Sequence, residues 1–315
     1  MCRGKIKLMR IIINNIQELL DVSVQYDEKY EQILDLQITR DLRLESLTDA
    51  EFQQVCDFID KCSNIQSLGL RYINLTILSG MHRLQALCDV VCKCLNMESL
   101  NLFGLNIENS NFKDIQALSK IILSCSKLKS LNLAWSQIYT LNFDDTQTIL
   151  NAIAASPNLQ VLDLMEIGLD KLDFSCFQIL CNTICQCPCL RRLELDQSEL
   201  DRLSQIHFDM LCNAIFKSNS LVYCDFKFKQ NNMRKERNQK VEEILHKKRL
   251  LLESSEKSEK IEHINIQEKT SICANIAYQF VNHQQASNKK RRKIIAEKES
   301  PPTKKLNSSK EKYIY

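Results

Sequence analysis

Fifteen cysteines in 315 residues carry the most concentrated reactive chemistry of the chain, and Cys185, Cys187 and Cys189 alternate just after Cys176 and Cys181. Such a cluster could bind zinc or exchange disulfides. Zinc needs closely spaced ligand pairs that converge on one point, and here the thiols are spread along the sequence from Cys2 to Cys273. The five histidines, His82, His207, His246, His263 and His283, share no local motif. No glycine-rich phosphate loop, Gly-x-Ser-x-Gly elbow or His-Glu-x-x-His helix occurs. The residue types therefore predict a non-enzymatic chain with no cofactor and no metal site.

What positions the cysteines is a repeat. Six segments share one frame: Ile65, Leu68 and Leu70; Met97, Leu100 and Leu102; Leu128, Leu131 and Leu133; Leu159, Leu162 and Leu164; Leu190, Leu193 and Leu195; Leu221, Cys224 and Phe226. Their central positions are 68, 100, 131, 162, 193 and 224, spaced by 32 and then four times by 31. An earlier copy is expected at Leu34 and Leu36, with a looser spacing of 34. Most cysteines then fall into two columns. One holds Cys62, Cys94, Cys125, Ser156, Cys187 and Ser218; the other holds Cys56, Cys88, Ser119, Leu150, Cys181 and Cys212. A column that accepts Cys, Ser or Leu is a small packing site, the usual setting of a free buried thiol.

Two leucines separated by one residue lie on one face of a short strand, because side chains alternate along a strand. Five residues past the second leucine another apolar residue returns to the core: Leu75, Ile107, Ile138, Leu169 or Leu200. Between strands the apolar spacing turns helical, as in Phe52, Val55, Cys56 and Ile59, or Leu118, Ile121 and Ile122. Each unit is a strand plus a helix whose apolar face only a neighbouring unit can cover.

This frame resembles the ribonuclease-inhibitor type of leucine-rich repeat over roughly residues 30–228. The resemblance implies an α/β solenoid with parallel strands on a concave face and helices on a convex one. It departs in the column three residues before the first leucine, where that family usually has Asn and this chain has Cys or Ser. Cysteine there is similar to the repeats of F-box proteins, whose period is shorter. Similar arrays occur in effectors that bacteria of the Legionella type inject into host cells, and the Ile-, Asn- and Lys-rich composition fits that origin. The same repeat class includes GTPase activators of the Ran type. Those carry an acidic C-terminal segment, whereas this one is basic.

Charge is divided along the chain. Residues 229–315 contain 21 Lys+Arg against 11 Asp+Glu, a net of +10, and residues 1–228 contain 21 against 28, a net of −7. The expected organisation is an N-terminal cap over 1–30, about seven repeats over 31–230, a helical extension over 231–287 and a disordered basic tail over 288–315. Val241, Ile244, Leu245 and Leu252 predict a helix that caps the last repeat. Lys289, Lys290, Arg291, Arg292 and Lys293 form a basic cluster of the nuclear-import type, and any nucleic-acid contact is expected through this tail alone. Ile11, Ile12 and Ile13 are too short a run for a signal segment, and no stretch approaches the ~20 apolar residues of a membrane span. The expectation is a monomeric, reduced, cytoplasmic or nuclear protein, or an effector secreted into a host cell.

The partner surface is expected on the concave face. Between the paired leucines stand Asp35, Gly69, Asn101, Asn132, Asp163, Glu194 and Asp225, a ladder that turns acidic toward its end. Just past the strands come Tyr72, Phe103 and Trp135, the single tryptophan, on successive coils, followed by Glu166 and Asp196. Aromatic side chains on a solvent-facing surface suit binding hot spots. The three aromatics are expected to anchor a protein partner, with Asp163, Glu166, Glu194, Asp196, Tyr223 and Asp225 forming an electrostatic half suited to a basic one.

Overall fold

The computed structural model describes residues 9–25, 30–74, 77–78, 83–227 and 239–250. Contacts divide the chain into a unit spanning Met1–Leu252 and a second spanning Glu253–Tyr315. The basic cluster at Lys289, Lys290, Arg291, Arg292 and Lys293, with the rest of the second unit, lies outside the described residues.

Eight strands form one parallel sheet in chain order: β1 (Met9–Ile13), β2 (Ile33–Ile38), β3 (Ser67–Leu70), β4 (Ser99–Asn101), β5 (Ser130–Asn132), β6 (Val161–Leu164), β7 (Arg192–Asp196) and β8 (Tyr223–Lys227). From β3 onward the register follows the repeat, aligning Leu68, Leu100, Leu131, Leu162, Leu193 and Cys224. The paired leucines of β3 to β7 stack inward, none more than 3% exposed. Behind each strand the returning residues Ile107, Ile138, Leu169 and Leu200 are buried as well.

Two features of the N-terminal end differ from the sequence reading. In β2 the residues aligned with Leu68 and Leu70 are Leu36 and Ile38, so the rung of the ladder beside Gly69 is Gln37 and not Asp35. Leu36 to Leu68 is 32 residues, the spacing of the following coil. Ahead of it, β1 adds a strand within the stretch expected as a cap, with Ile11 and Ile13 buried and Ile12 exposed.

The helices are α1 (Ile16–Gln25), α2 (Asp49–Lys61), α3 (Arg83–Val91), α4 (Phe112–Ser124), α5 (Phe143–Ala154), α6 (Phe174–Gln186), the short α7 (Gln197–Arg202) and α8 (Gln205–Lys217). Six of them start on a side chain that accepts a backbone N–H: Asn15, Thr48, Asn111, Asn142, Asp173 and Ser204. Thr48 with Glu51, and Asn111 with Asp114, close reciprocal capping boxes. A further helix over 239–250 covers the last coil, burying Val241 and Leu245. Its Lys248 Nζ donates to the Ile215 carbonyl at 3.1 Å, satisfying an acceptor in the last turn of α8. Burial pushes that ammonium down to about 8.

The cysteine columns lie inside. Cys56, Cys62, Cys88, Cys94, Cys125, Cys181 and Cys187 are free and buried, and Cys212 is buried as well. Cys187 Sγ donates to the Ile153 carbonyl and Cys185 Sγ to the Ala214 carbonyl, both at 3.6 Å. Among the described residues, no group of three His, Cys, Asp or Glu is placed to hold a metal ion. Burial pushes Cys56, Cys62, Cys88, Cys94 and Cys187 up to about 12 and Cys125 to about 11.

Two predictions follow from this core. Leu131→Ala or Leu162→Ala removes a fully buried strand side chain and is expected to cost on the order of 2–5 kcal/mol in urea unfolding; a loss below about 1 kcal/mol would contradict the assigned frame. The second concerns pH. A thiol whose folded pKa is raised holds its proton after the unfolded chain has lost it, so stability falls as pH rises from about 9 through the folded values. Lys248, with its lowered pKa, works in the opposite sense between about 8 and its ordinary value near 10.4, but it is one group against nine thiols, since burial also raises Cys176, Cys181 and Cys185. The urea midpoint is therefore expected to drop between pH 9 and 11, and Cys62→Ser with Cys94→Ser to make the drop shallower.

Candidate partner-binding rim

Where β4, β5 and β6 leave the sheet, the ladder residue bends the chain. Asn101 Oδ1 accepts from the Phe103 N–H at 3.0 Å, Asn132 Oδ1 from Ala134 at 2.9 Å, and Asp163 Oδ1 from Met165 at 3.1 Å. These are Asx turns, in which a short polar side chain stands in for a backbone acceptor. One residue further the backbone turns left-handed: φ is 59° at Tyr72, 70° at Gly104, 64° at Trp135 and 54° at Glu166. The amide of that residue donates to the next coil, Tyr72 to the Phe103 carbonyl, Gly104 to Ala134 and Trp135 to Met165, each at 2.8 Å. Side chains at this bend project from the rim of the sheet.

The three sequence-predicted aromatics meet there. The Tyr72 and Phe103 rings stand edge to face, with centroids 5.3 Å apart, and Phe103 and Trp135 lie 6.3 Å apart, tilted by 38°. They do not occupy one column. Tyr72 and Trp135 stand at the left-handed position, and Phe103 stands one residue earlier, on the coil whose left-handed position is Gly104. A Cβ at Gly104 would come within 2.5 Å of the Tyr72 ring, so this glycine lets the tyrosine lie across the next coil and reach Phe103. Tyr72 is 40% exposed and Trp135 55%.

A left-handed bend costs a side-chain-bearing residue roughly 1–2 kcal/mol, and glycine almost nothing. Gly104 shows that the column accepts glycine. Tyr72 and Trp135 thus place large rings, much of them in water, at strained bends where glycine would serve. Strain of this kind collects where side chains are presented to a ligand.

The acidic half is arranged differently from its sequence pattern. Asp163 is only 8% exposed, and its Oδ2 accepts from Asn132 Nδ2 at 2.7 Å, so both oxygens are engaged within the protein. Glu194 lies 3.6 Å from Arg192, whose guanidinium also sits 4.5 Å above the exposed Tyr223 ring. Glu166 is half-buried at its left-handed bend. Asp225 pairs in register with Glu194, and Asp196 with Lys227, but the side chains of Asp196 and Asp225 lie outside the described residues.

Two sets of residues at this edge carried no signal in the sequence reading. Arg40 lies 4.9 Å above the Tyr72 ring and Arg71 5.9 Å above the Phe103 ring, each reaching from one coil to the next. Nothing in the local sequence marks them, because the pairing spans a whole repeat. On the helix side of the same loops, Phe112, Phe143 and Phe174 open α4, α5 and α6 and are all exposed. Their 31-residue spacing, directly behind the capping residues, could have revealed them.

The chain resembles a solved structure, the leucine-rich repeat-containing protein LegL7 from Legionella pneumophila, with 19% sequence identity and a TM-score of 0.51. The match covers 72% of this chain and 68% of that one. This is a leucine-rich repeat fold. A second solved structure, Leiomodin-1 Actin-Binding Site 2, matches 49% of this chain and 84% of its own at 11% identity, with a TM-score of 0.34. No protein-family model and no curated protein matches the sequence. Within the leucine-rich repeat fold the scaffold is set by the inward leucines, and the rim is free to vary.

Because glycine serves the bend as well as tryptophan, Trp135→Gly is expected to leave thermal and urea stability within about 1 kcal/mol of the parent. A loss of several kcal/mol would make the indole a structural element of the rim.

Proposed function

We propose that this chain is a protein-interaction module that docks its partner on the rim, with Tyr72, Phe103 and Trp135 as anchors. The observation that carries this reading is the pair of strained, exposed aromatics at bends where glycine would serve. Aromatic residues dominate binding energy when a partner desolvates them, and a stable complex needs roughly 800 Å² on each side, which a rim and sheet of eight coils can offer. Glu166, Glu194 and Tyr223 would continue the surface toward the C-terminal coils, and the sequence pattern assigns Asp196 and Asp225 to the same half. In this reading Asp163 shapes the Asx turn that sets the bend. The likeness to a Legionella protein, together with the Ile-, Asn- and Lys-rich composition, supports action as an effector in a host cell. Lys289, Lys290, Arg291, Arg292 and Lys293 would then act as an address within that cell.

The test compares the parent with the triple variant Tyr72→Ala, Phe103→Ala and Trp135→Ala, both shown to be folded by far-UV circular dichroism. Proximity labelling in host cells should identify proteins captured by the parent and lost from the triple variant. For a partner so identified, Trp135→Ala alone is expected to weaken binding by about 2 kcal/mol or more, mainly through faster dissociation. A partner retained in full by the folded triple variant would move the docking surface elsewhere.

A further inference from the structure

The charge around the aromatic anchors points to the chemistry of what they receive. Arg40 and Arg71 are both exposed, and among the described residues neither forms an ion pair with a carboxylate. Arg83 and Arg202 make the contrast: each is held by an aspartate, Asp49 and Asp170 respectively. Arg10, on β1, is engaged with Asp35 at 3.1 Å. Arg10 and Arg71 also flank a small hollow of about 110 Å³, floored by Ile12, Gln37, Ile38 and Thr39. This volume suits one side chain and is well below that of a cofactor pocket.

Stacking over an aromatic ring fixes a guanidinium in space and leaves its N–H edge open. That edge matches the two oxygens of a carboxylate. Arg40 over Tyr72 and Arg71 over Phe103 therefore present two guanidinium groups, without a carboxylate partner among the described residues, beside an apolar surface that runs on to Trp135. We propose that the rim receives an acidic protein segment: carboxylates pair with Arg40 and Arg71, and a neighbouring apolar side chain lies on the Phe103 and Trp135 rings. This proposal rests on the rim reading above and names its partner class. A nucleic-acid strand suits the surface less well. The cationic stretch is short and is followed along the coils by Glu166 and Glu194, which would repel a continuous polyanion.

Random twelve-residue peptides displayed on phage are panned on the full chain, and binders are kept only if the folded triple aromatic variant fails to bind them. The expected sequences are enriched in Asp and Glu next to an aromatic or large aliphatic residue. Synthetic versions without tryptophan are then titrated while the emission of Trp135, the only tryptophan, reports occupancy. Arg40→Gln with Arg71→Gln should weaken them at least about tenfold, the loss expected for charge-assisted hydrogen bonds, and flatten their salt dependence. Replacing Glu by Gln in the peptide should do the same. Rim-dependent peptides that are neutral or basic would overturn the acidic partner and leave the rim reading standing. An oligouridylate that binds more tightly than the selected peptides, and is lost with the same aromatics, would also overturn it in favour of nucleic acid. If no binder depends on the aromatics, the rim reading itself fails.

Discussion

A strand and helix of one coil leave an apolar face that no residue of the same coil can cover. Everything else in this molecule depends on that face being closed by the next coil, through inward leucines in register and backbone bonds between parallel strands. Leu131 and Leu162 show no measurable exposure because identical geometry recurs on either side. The ends of the stack need other covers. At one end β1 adds a further strand, and at the other the helix over 239–250 lays Val241 and Leu245 against the last coil. Such one-dimensional packing makes stability a sum of neighbour contacts. It also explains why small buried positions tolerate Cys or Ser, since what they must preserve is volume.

The same repetition builds the rim. On β4, β5 and β6 an Asn or Asp between the leucines caps the end of the strand, the bend that follows β3 to β6 turns left-handed, and the amides of Tyr72, Gly104 and Trp135 bond to the neighbouring coil. This chain of local causes places one side chain per coil on the edge. Where the fold sets only the backbone, the identity of that side chain is open, and here two of the four are large aromatics under strain. Gly104 is part of the same arrangement, because its missing side chain gives Tyr72 the space to reach Phe103.

Charge is distributed in a way that net values hide. The first 228 residues are acidic as a whole, yet the surface around the aromatic anchors carries Arg40 and Arg71 without carboxylate partners among the described residues. Meanwhile Asp163, acidic in the sequence, has both oxygens engaged in shaping the turn. A charged residue on a repeat surface therefore acts through its column: one column shapes the backbone, and another faces solvent.

By itself the sequence determined the period, the inward leucines from β3 onward, the alternation of strand and helix and the placement of the cysteines. All of these depend on short-range spacing that is copied from coil to coil. Its adjacency of Tyr72, Phe103 and Trp135 was also legible, since a constant period maps sequence distance onto spatial neighbours. The frame of β2 was not, because Leu34, Leu36 and Ile38 alternate equally well in two registers, and only pairing with β3 selects Leu36 and Ile38. Nor was β1, whose run of three isoleucines carries no alternation and whose coil is shorter than the repeat. Tertiary structure alone decided that Asp163 turns inward, that Gly104 accommodates a tyrosine and that two arginines stack on aromatic rings. Each of those outcomes depends on which side chain of the adjacent coil occupies the same few ångströms, and that proximity exists only once the coils have closed on one another.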